Sequence, residues 1–372
     1  MSFPAQPRPA RHAHLGIDLS DTGARAAAWR THGSQGQRLF DAGRLEELVA
    51  VAQRGALDFV VFDDDFALHP GGSTTRLDAA IVASRLASRT AGIGLVAAVG
   101  TSHLEPAHIS TAIATIDQAS AGRAGWQVGW TTRVDEVPTA GPRSTSADAA
   151  AVAGAGEAAA TVGRLWDSRL ATTVARPRFT THDGVNFAAG TPKSSPRPPQ
   201  GRPPVVVRAS TPAEIELAGR VADVVRIRAT TPDEAARIRA RVLGAVAAAG
   251  RDARDVRVLV DVYLIVGPDR ASAQARLDML SDLEGVSWDT GSLAFVGTAT
   301  GFAELVTQWL DSEAADGFTI RPASVHTDLV ALVEGVLPVL RASDAFREAY
   351  PGLTFRDTLG LPSTADRYAA TA

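Results

Sequence analysis

Four stretches of the chain set residues capable of chemistry at the ends of apolar runs. The first is Phe62-Asp63-Asp64-Asp65-Phe66, where three successive carboxylates close the run Phe59 to Phe62. An isolated acidic triplet is ordinarily a solvated turn or helix cap; the alternative is a carboxylate orienting a ligand from a loop on a rigid scaffold. The second is Ala97-Ala98-Val99-Gly100-Thr101-Ser102-His103. Its small residues let a flat ligand approach the backbone, and His103 or the nearby His108 is a candidate acid or base, although lone histidines are more often capping or surface groups. The third is Gly122-Arg123-Ala124-Gly125-Trp126-Gln127-Val128-Gly129-Trp130, whose two tryptophans share one strand face and either wall a planar ligand or fill core. Core is the better reading for one of them. The fourth is Ser210-Thr211-Pro212, which follows Val205 to Ala209 and opens a helix whose free N–H groups suit an anion. Thr231-Pro232 repeats that capping pattern, so capping alone accounts for it, and Glu214 sets a carboxylate in the first turn that would repel a phosphate.

The rest of the inventory excludes more than it assigns. With no cysteine, thiol nucleophiles, disulfides and Cys-ligated metals are ruled out. Lys193 is the single lysine, in a proline-rich stretch, which gives Schiff-base chemistry little support. No H-E-x-x-H pair, Walker loop or Ser-His-Asp order is present, and no convincing G-x-G-x-x-G. A formal net charge of −4 carries no basic footprint for nucleic acid. Neither a signal-like apolar core in Met1 to Pro9 nor an apolar run of membrane length occurs, so a cytoplasmic protein without membrane contact is expected.

The elements that must position these groups follow from hydropathy. At 372 residues and 45% hydrophobic content, the chain suits one elaborated α/β barrel or two smaller domains. Short apolar runs at Leu15 to Leu19, Phe59 to Phe62, Ile93 to Val99, Ala124 to Gly129, Val205 to Ala209, Val224 to Ile227, Val256 to Val266 and Gly317 to Ile320 alternate with amphipathic or Ala-rich stretches. That alternation predicts strand-then-helix units around a parallel sheet. Thr211-Pro212-Ala213-Glu214 and Thr231-Pro232-Asp233-Glu234 both read as capping boxes with proline at the first helical position. The stretch from Arg176 to Pro204 breaks the rhythm with Asp183-Gly184 and seven prolines, and predicts a hairpin around His182 to Phe187 followed by an extended loop. The expected architecture is one (β/α)8 TIM-barrel domain over 1–372, its core about 14–362 and its irregular insertion about 176–204, with functional groups at the C-terminal strand ends.

Ile116-Asp117-Gln118-Ala119-Ser120-Ala121-Gly122-Arg123-Ala124-Gly125-Trp126 resembles the L-D-x-L-S-x-G-R-A-G-W signature of luciferase-like flavin-dependent monooxygenases. The match points to the branch that holds nitrilotriacetate, long-chain alkane and dibenzothiophene-sulfone monooxygenases. Further agreement comes at Ala28-Trp29-Arg30, Ile93 to Pro106, Leu165-Trp166-Asp167-Ser168, Pro199-Gln200-Gly201-Arg202-Pro203, Pro338-Val339-Leu340 and Tyr350 to Leu361, so the resemblance runs from Leu15 to Pro362. It implies a barrel holding reduced FMN at its mouth, supplied by a separate NAD(P)H:flavin reductase, oxygenation of a small organic substrate, and a homodimer. By motif, Asp64 and Ala98 fall beside the flavin, Gln127 stands where the family has asparagine, and Ser210 and Thr211 fall at the pair that receives the phosphate. Gly129-Trp130 replaces a Thr-Ser strand ending, the family's Arg-Tyr pair is missing from Ser146 to Ala160, and Ala209 and Glu214 replace glycines. Those departures keep two alternatives open: a luciferase-like barrel that has lost flavin and catalysis, and an oxidoreductase that uses a deazaflavin.

Overall fold

The structure is a computed structural model describing residues 12–31, 33–63, 77–102, 104–131, 148–167, 179–183, 188–192, 197–285 and 290–364. Strands β1 (His14–Asp18), β2 (Phe59–Phe62), β3 (Gly94–Gly100) and β4 (Ala124–Gly129) come first. A hairpin, β5 (Phe179–Asp183) with β6 (Ala188–Pro192), precedes β7 (Val205–Ala209), β8 (Val224–Ile227), β9 (Arg257–Gly267), β10 (Leu293–Thr298) and β11 (Gly317–Pro322). Eight of them, β1-β2-β3-β4-β7-β8-β9-β11, are parallel and close when β11 pairs with β1. This is the (β/α)8 barrel that the hydropathy predicts, with the same eight strands. Hydropathy does not predict β10, which joins the outer half of the eleven-residue β9, from Val262 to Gly267. The hairpin falls inside the irregular insertion, its antiparallel register running from Phe179↔Pro192 to Asp183↔Ala188.

Helices α1 (Ala42–Arg54), α2 (Ala79–Ala87), α3 (Pro106–Ala119), α4 (Asp148–Asp167), α5 (Pro212–Val221) and α6 (Pro232–Ala248) pack outside the sheet. Their apolar stripes meet the outward residues of the strands, so Leu15, Ile17, Val60, Leu95, Ala97, Trp126 and Val128 belong to one large outer core with Leu48, Ile113 and Trp166. Trp126 is therefore core: it meets Trp166 edge-on at 6.3 Å, and its Nε1 donates to the Val99 carbonyl. Trp130 is half-buried and packs against the same outer core.

Inside the barrel the two ends differ. At the N-terminal end Phe59, Val61, Val96, Val206, Val224 and Leu259 form a second cluster, which Phe355, Leu359 and Leu361 of the C-terminal segment plug from below. Glycines make room for the plug: a Cβ at Gly94 or Gly125 would stand 2.5 or 2.8 Å from the Phe355 ring. Around this floor, four aspartates each accept the N–H of a residue at the start of a strand. Asp58 takes Leu15, Asp117 takes Ala124, Asp223 takes Val205 and Asp316 takes Val258. The signature segment belongs to the same end. The guanidinium of Arg123 donates to the carbonyls of Ala87, Thr90, Ile93 and Ser120, and Gln200 donates from Nε2 to Asp117 and to the Ala124 carbonyl. Burial pushes the Asp117 carboxyl up to about 6 despite those donors.

Candidate active site

Alternation along the strands sends Asp18, Asp63, Ala98, Gln127, Arg208, Arg226, Asp261, Tyr263, Thr319 and Arg321 toward the barrel axis above the apolar floor. Of the charged groups there, Asp18, Arg226 and Asp261 are buried and so must be paired. Arg226 holds Asp261 with two parallel bonds of 2.8 and 2.9 Å and donates its Nη1 to Gln127 Oε1 at 2.7 Å. Desolvation works against the Arg226 charge, but Asp261 outweighs it and holds the guanidinium above its ordinary value. Arg321 lies over the Tyr263 ring, donates to its hydroxyl at 2.8 Å and faces Asp18 at 3.6 Å. Burial raises the Asp18 carboxyl, yet Arg321 and Arg226 together bring it below the usual carboxylate range. Across the rim, Arg208 Nη1 faces Asp63 at 3.4 Å.

Three arginines thus stand against three aspartates. Each carboxylate faces a guanidinium, so the ring presents fixed charges and dipoles rather than a loose base, which is what preorganised electrostatic stabilisation requires. Three buried polar atoms of this ring, Gln127 Nε2, Thr319 Oγ1 and Arg321 Nε, have no hydrogen-bond partner among the described residues, and of these only Arg321 Nε faces a carboxylate, Asp18 at 3.6 Å. Beside them the wall is low: Ala98 pairs with Gln127 in register, and a Cβ added at Gly100 would meet nothing within 4 Å.

At the end of β7 the geometry differs from that of an open anion site. Thr211 caps α5 in a full capping box, and Glu214 Oε2 accepts the N–H groups of both Ser210, at 2.7 Å, and Thr211, at 2.8 Å. Glu214 therefore does more than repel an incoming phosphate, because its own carboxylate fills the cradle. The matching turn at α6 is only half a box by comparison, with Glu234 taking Thr230 N–H instead.

Of the residues expected from sequence, the structure brings Ala98 and Gln127 together on adjacent strands and sets Ser210 and Thr211 at the exposed rim. Asp64 and His103 lie outside the described residues. His108 is exposed on α3. Sequence reasoning missed Asp18, Arg226, Asp261, Tyr263 and Arg321. The available signal was a charge at an inward register position in an otherwise apolar strand, as in Val224-Val225-Arg226-Ile227.

Among the described residues no group of three or more His, Asp or Glu is placed to hold a metal, and no helix is long and apolar enough to cross a membrane. A barrel of this topology with its polar ring at the C-terminal mouth has the architecture of a (β/α)8 enzyme. The luciferase-like monooxygenase family model matches residues 22–317, and the chain belongs to that family. Nitrilotriacetate monooxygenase component A of Aminobacter aminovorans is 27% identical, covering 94% of this chain and 97% of the relative. N-acetyl-S-(2-succino)cysteine monooxygenase of Bacillus subtilis (strain 168) is 25% identical over 95% of this chain and 98% of its own. In fold, the EDTA monooxygenase of Chelativorans sp. BNC1 superposes with a TM-score of 0.84 at 22% identity, covering 95% of this chain and 99% of that one.

Proposed function

We propose that the protein is a monooxygenase that uses reduced FMN and dioxygen on a small organic substrate. The reduced FMN comes from a separate NAD(P)H:flavin reductase, and the chain works as one barrel domain within a homodimer. The observation that carries this reading is the barrel mouth of a family member in which the low wall of Ala98 and Gly100 adjoins Gln127 Nε2, a buried donor with no partner among the described residues. Those residues fit a flavin ring: Ala98 gives it room and Gln127 gives it a hydrogen bond. Reduced flavin, when bound, supplies the activation of dioxygen. The chain's own share is to orient the ring, through Gln127 held by Arg226, and to keep charges fixed around a site from which water is excluded.

The phosphate end does not fit as it stands, because Glu214 already satisfies the N–H groups of Ser210 and Thr211. That observation favours a second reading, in which the barrel works without any flavin; the likeness in fold to deazaflavin-dependent enzymes adds a deazaflavin as the other cofactor to test. Anaerobic titration of the full chain with FMN, reduced FMN and a deazaflavin, followed by calorimetry, separates the two. Saturable micromolar binding of reduced FMN, with oxygenation once a reductase is added, is the expected result. Binding of the deazaflavin alone, or of none of the three, would overturn the FMN reading.

A further inference from the structure

Between the ends of β1 and β2 and the start of α1 lies a small pocket of about 40 Å³, partly open to solvent. Leu19, Phe40, Leu45, Phe62, Leu77 and Val82 make its walls largely apolar. Arg44 lines it too, and is wholly buried at 0% exposure. Its Nη2 donates to the Asp21 carbonyl at 2.9 Å, whereas Nε and Nη1 are buried with no hydrogen-bond partner among the described residues.

That placement is unfavourable three times over. Among the described residues the guanidinium has left water without an ion pair to a carboxylate in return, and a buried charge is ordinarily paired. It sits in the first turn of α1, where the helix dipole favours anions. Burial above all lowers its proton affinity; among the described residues Arg38 repels it further and Asp21 offsets that only in part. The pocket adjoins the mouth: Asp63, which faces Arg208 across the barrel rim, is also one of its walls.

We propose that this pocket is a subsite for the carboxylate of an organic acid with an apolar body, the carboxylate pairing with Arg44 and the body lying along Phe40, Leu45 and Phe62 toward the mouth. The inference rests on the monooxygenase reading and names the class of its substrate. Asp21 and Asp63 in the same walls disfavour a polyanion, so a single carboxylate is expected and inorganic phosphate is not.

Calorimetric titration of the full chain, with no flavin present, uses three probes: hexanoate, hexan-1-ol and inorganic phosphate. Hexanoate is expected to bind saturably and at least tenfold more tightly than hexan-1-ol, and phosphate not to bind. Arg44→Gln should weaken hexanoate tenfold or more and leave the alcohol unchanged. In the unaltered chain, hydrogen exchange at the first turn of α1 should slow with hexanoate and not with the alcohol, a readout that survives if the variant fails to fold. Equal affinity for acid and alcohol, binding of phosphate alone, hexanoate binding indifferent to Arg44→Gln, or protection confined to other elements would each overturn the subsite. Because no flavin takes part, failure here is distinct from failure to bind FMN.

Discussion

At the floor of the barrel Phe355 lies 5.6 Å from Phe59 inside an apolar cluster, and the polar groups around it, Asp117, Arg123 and Gln200, are bonded to backbone several times over. At the mouth the interior is charged, and Gln127, Thr319 and Arg44 each keep buried polar atoms without partners among the described residues. Unsatisfied buried polar atoms cost stability; the N-terminal end has them too, at Tyr350 Oη and Arg239 Nε, but outside the barrel interior, so within the barrel the two ends obey different demands. The floor is built for folding and the mouth for something bound. Family resemblance divides in much the same way, although the agreement at Ile93 to Pro106 reaches the mouth at Ala98 and Gly100. The signature from Ile116 to Trp126 and the ending from Tyr350 to Leu361 build the floor, whereas the departures at Gln127, Ala209 and Glu214 all fall toward the mouth. Membership of the family is thus written in the scaffold, and what the site accepts is written where this chain differs.

The sharpest way to break this contrast is to remove one large group from each end. Phe355→Ala should lower the unfolding free energy by about 3–5 kcal/mol through the cavity it leaves. Asp261→Ala should cost a similar amount, about 3–5 kcal/mol, because it leaves the Arg226 charge bonded to Gln127 alone among the described residues, with Asp18 only at longer range. The ends separate in the double replacement Arg226→Met with Asp261→Leu. Exchanging a buried ion pair for apolar groups is often neutral or stabilising by about 1–4 kcal/mol. Urea unfolding is therefore expected to show most of the lost stability restored while ligand binding at the mouth is abolished. A double variant as unstable as Asp261→Ala would mean that the ring is structural like the floor.

A pH titration of stability reads the floor more finely. The Asp117 carboxyl is raised from 3.8 to about 6, chiefly by burial, so the native state holds its proton more tightly than the unfolded chain does. Its contribution is fully present below about pH 4 and is lost as pH rises through about 6, a change of about 3 kcal/mol if the whole shift is expressed. Asp117→Asn stays neutral throughout and should flatten the stability curve between those limits. An unchanged slope across that window would show that the donors from Gln200 and Ala124 outweigh burial.

How much of this could be read from sequence depends on which face of a strand a residue occupies. The eight barrel strands were legible because both faces are buried, which gives runs such as Val205-Val206-Val207 little ambiguity. β10 was not, since Leu293 to Thr298 is mostly half-exposed and mixes small with apolar residues. The small residues of the site, Ala98 and Gly100, stood out by type. Its charged ring did not, because Asp18, Arg226 and Asp261 are single residues in distant strands and only closure of the sheet makes them neighbours. A comparable signal went unused at the floor: Leu57-Asp58-Phe59, Ala222-Asp223-Val224 and Ala315-Asp316-Gly317 repeat one pattern of apolar residue, aspartate and strand start. The self-occupied cradle was half legible. The spacing of Thr211 and Glu214 announces a capping box, but which N–H groups the carboxylate takes is a matter of side-chain geometry.

The smallest expected effect tests that cradle directly, and it has opposite signs in two measurements. Glu214→Ala removes a carboxylate from the first turn of α5 and frees the N–H groups of Ser210 and Thr211. A negative charge near a helix N-terminus interacts with it by about 0.3–1 kcal/mol, so an FMN phosphate competing for the same groups should bind about two- to fivefold more tightly once Glu214 is gone. Stability should move the other way, falling by about 0.5–1 kcal/mol with half of the capping box lost. If affinity rises as stability falls, Glu214 is a stand-in for the phosphate and the rim of β7 belongs with the mouth. A loss of stability with no change in affinity would place Glu214 with the scaffold, as a helix cap that no phosphate displaces.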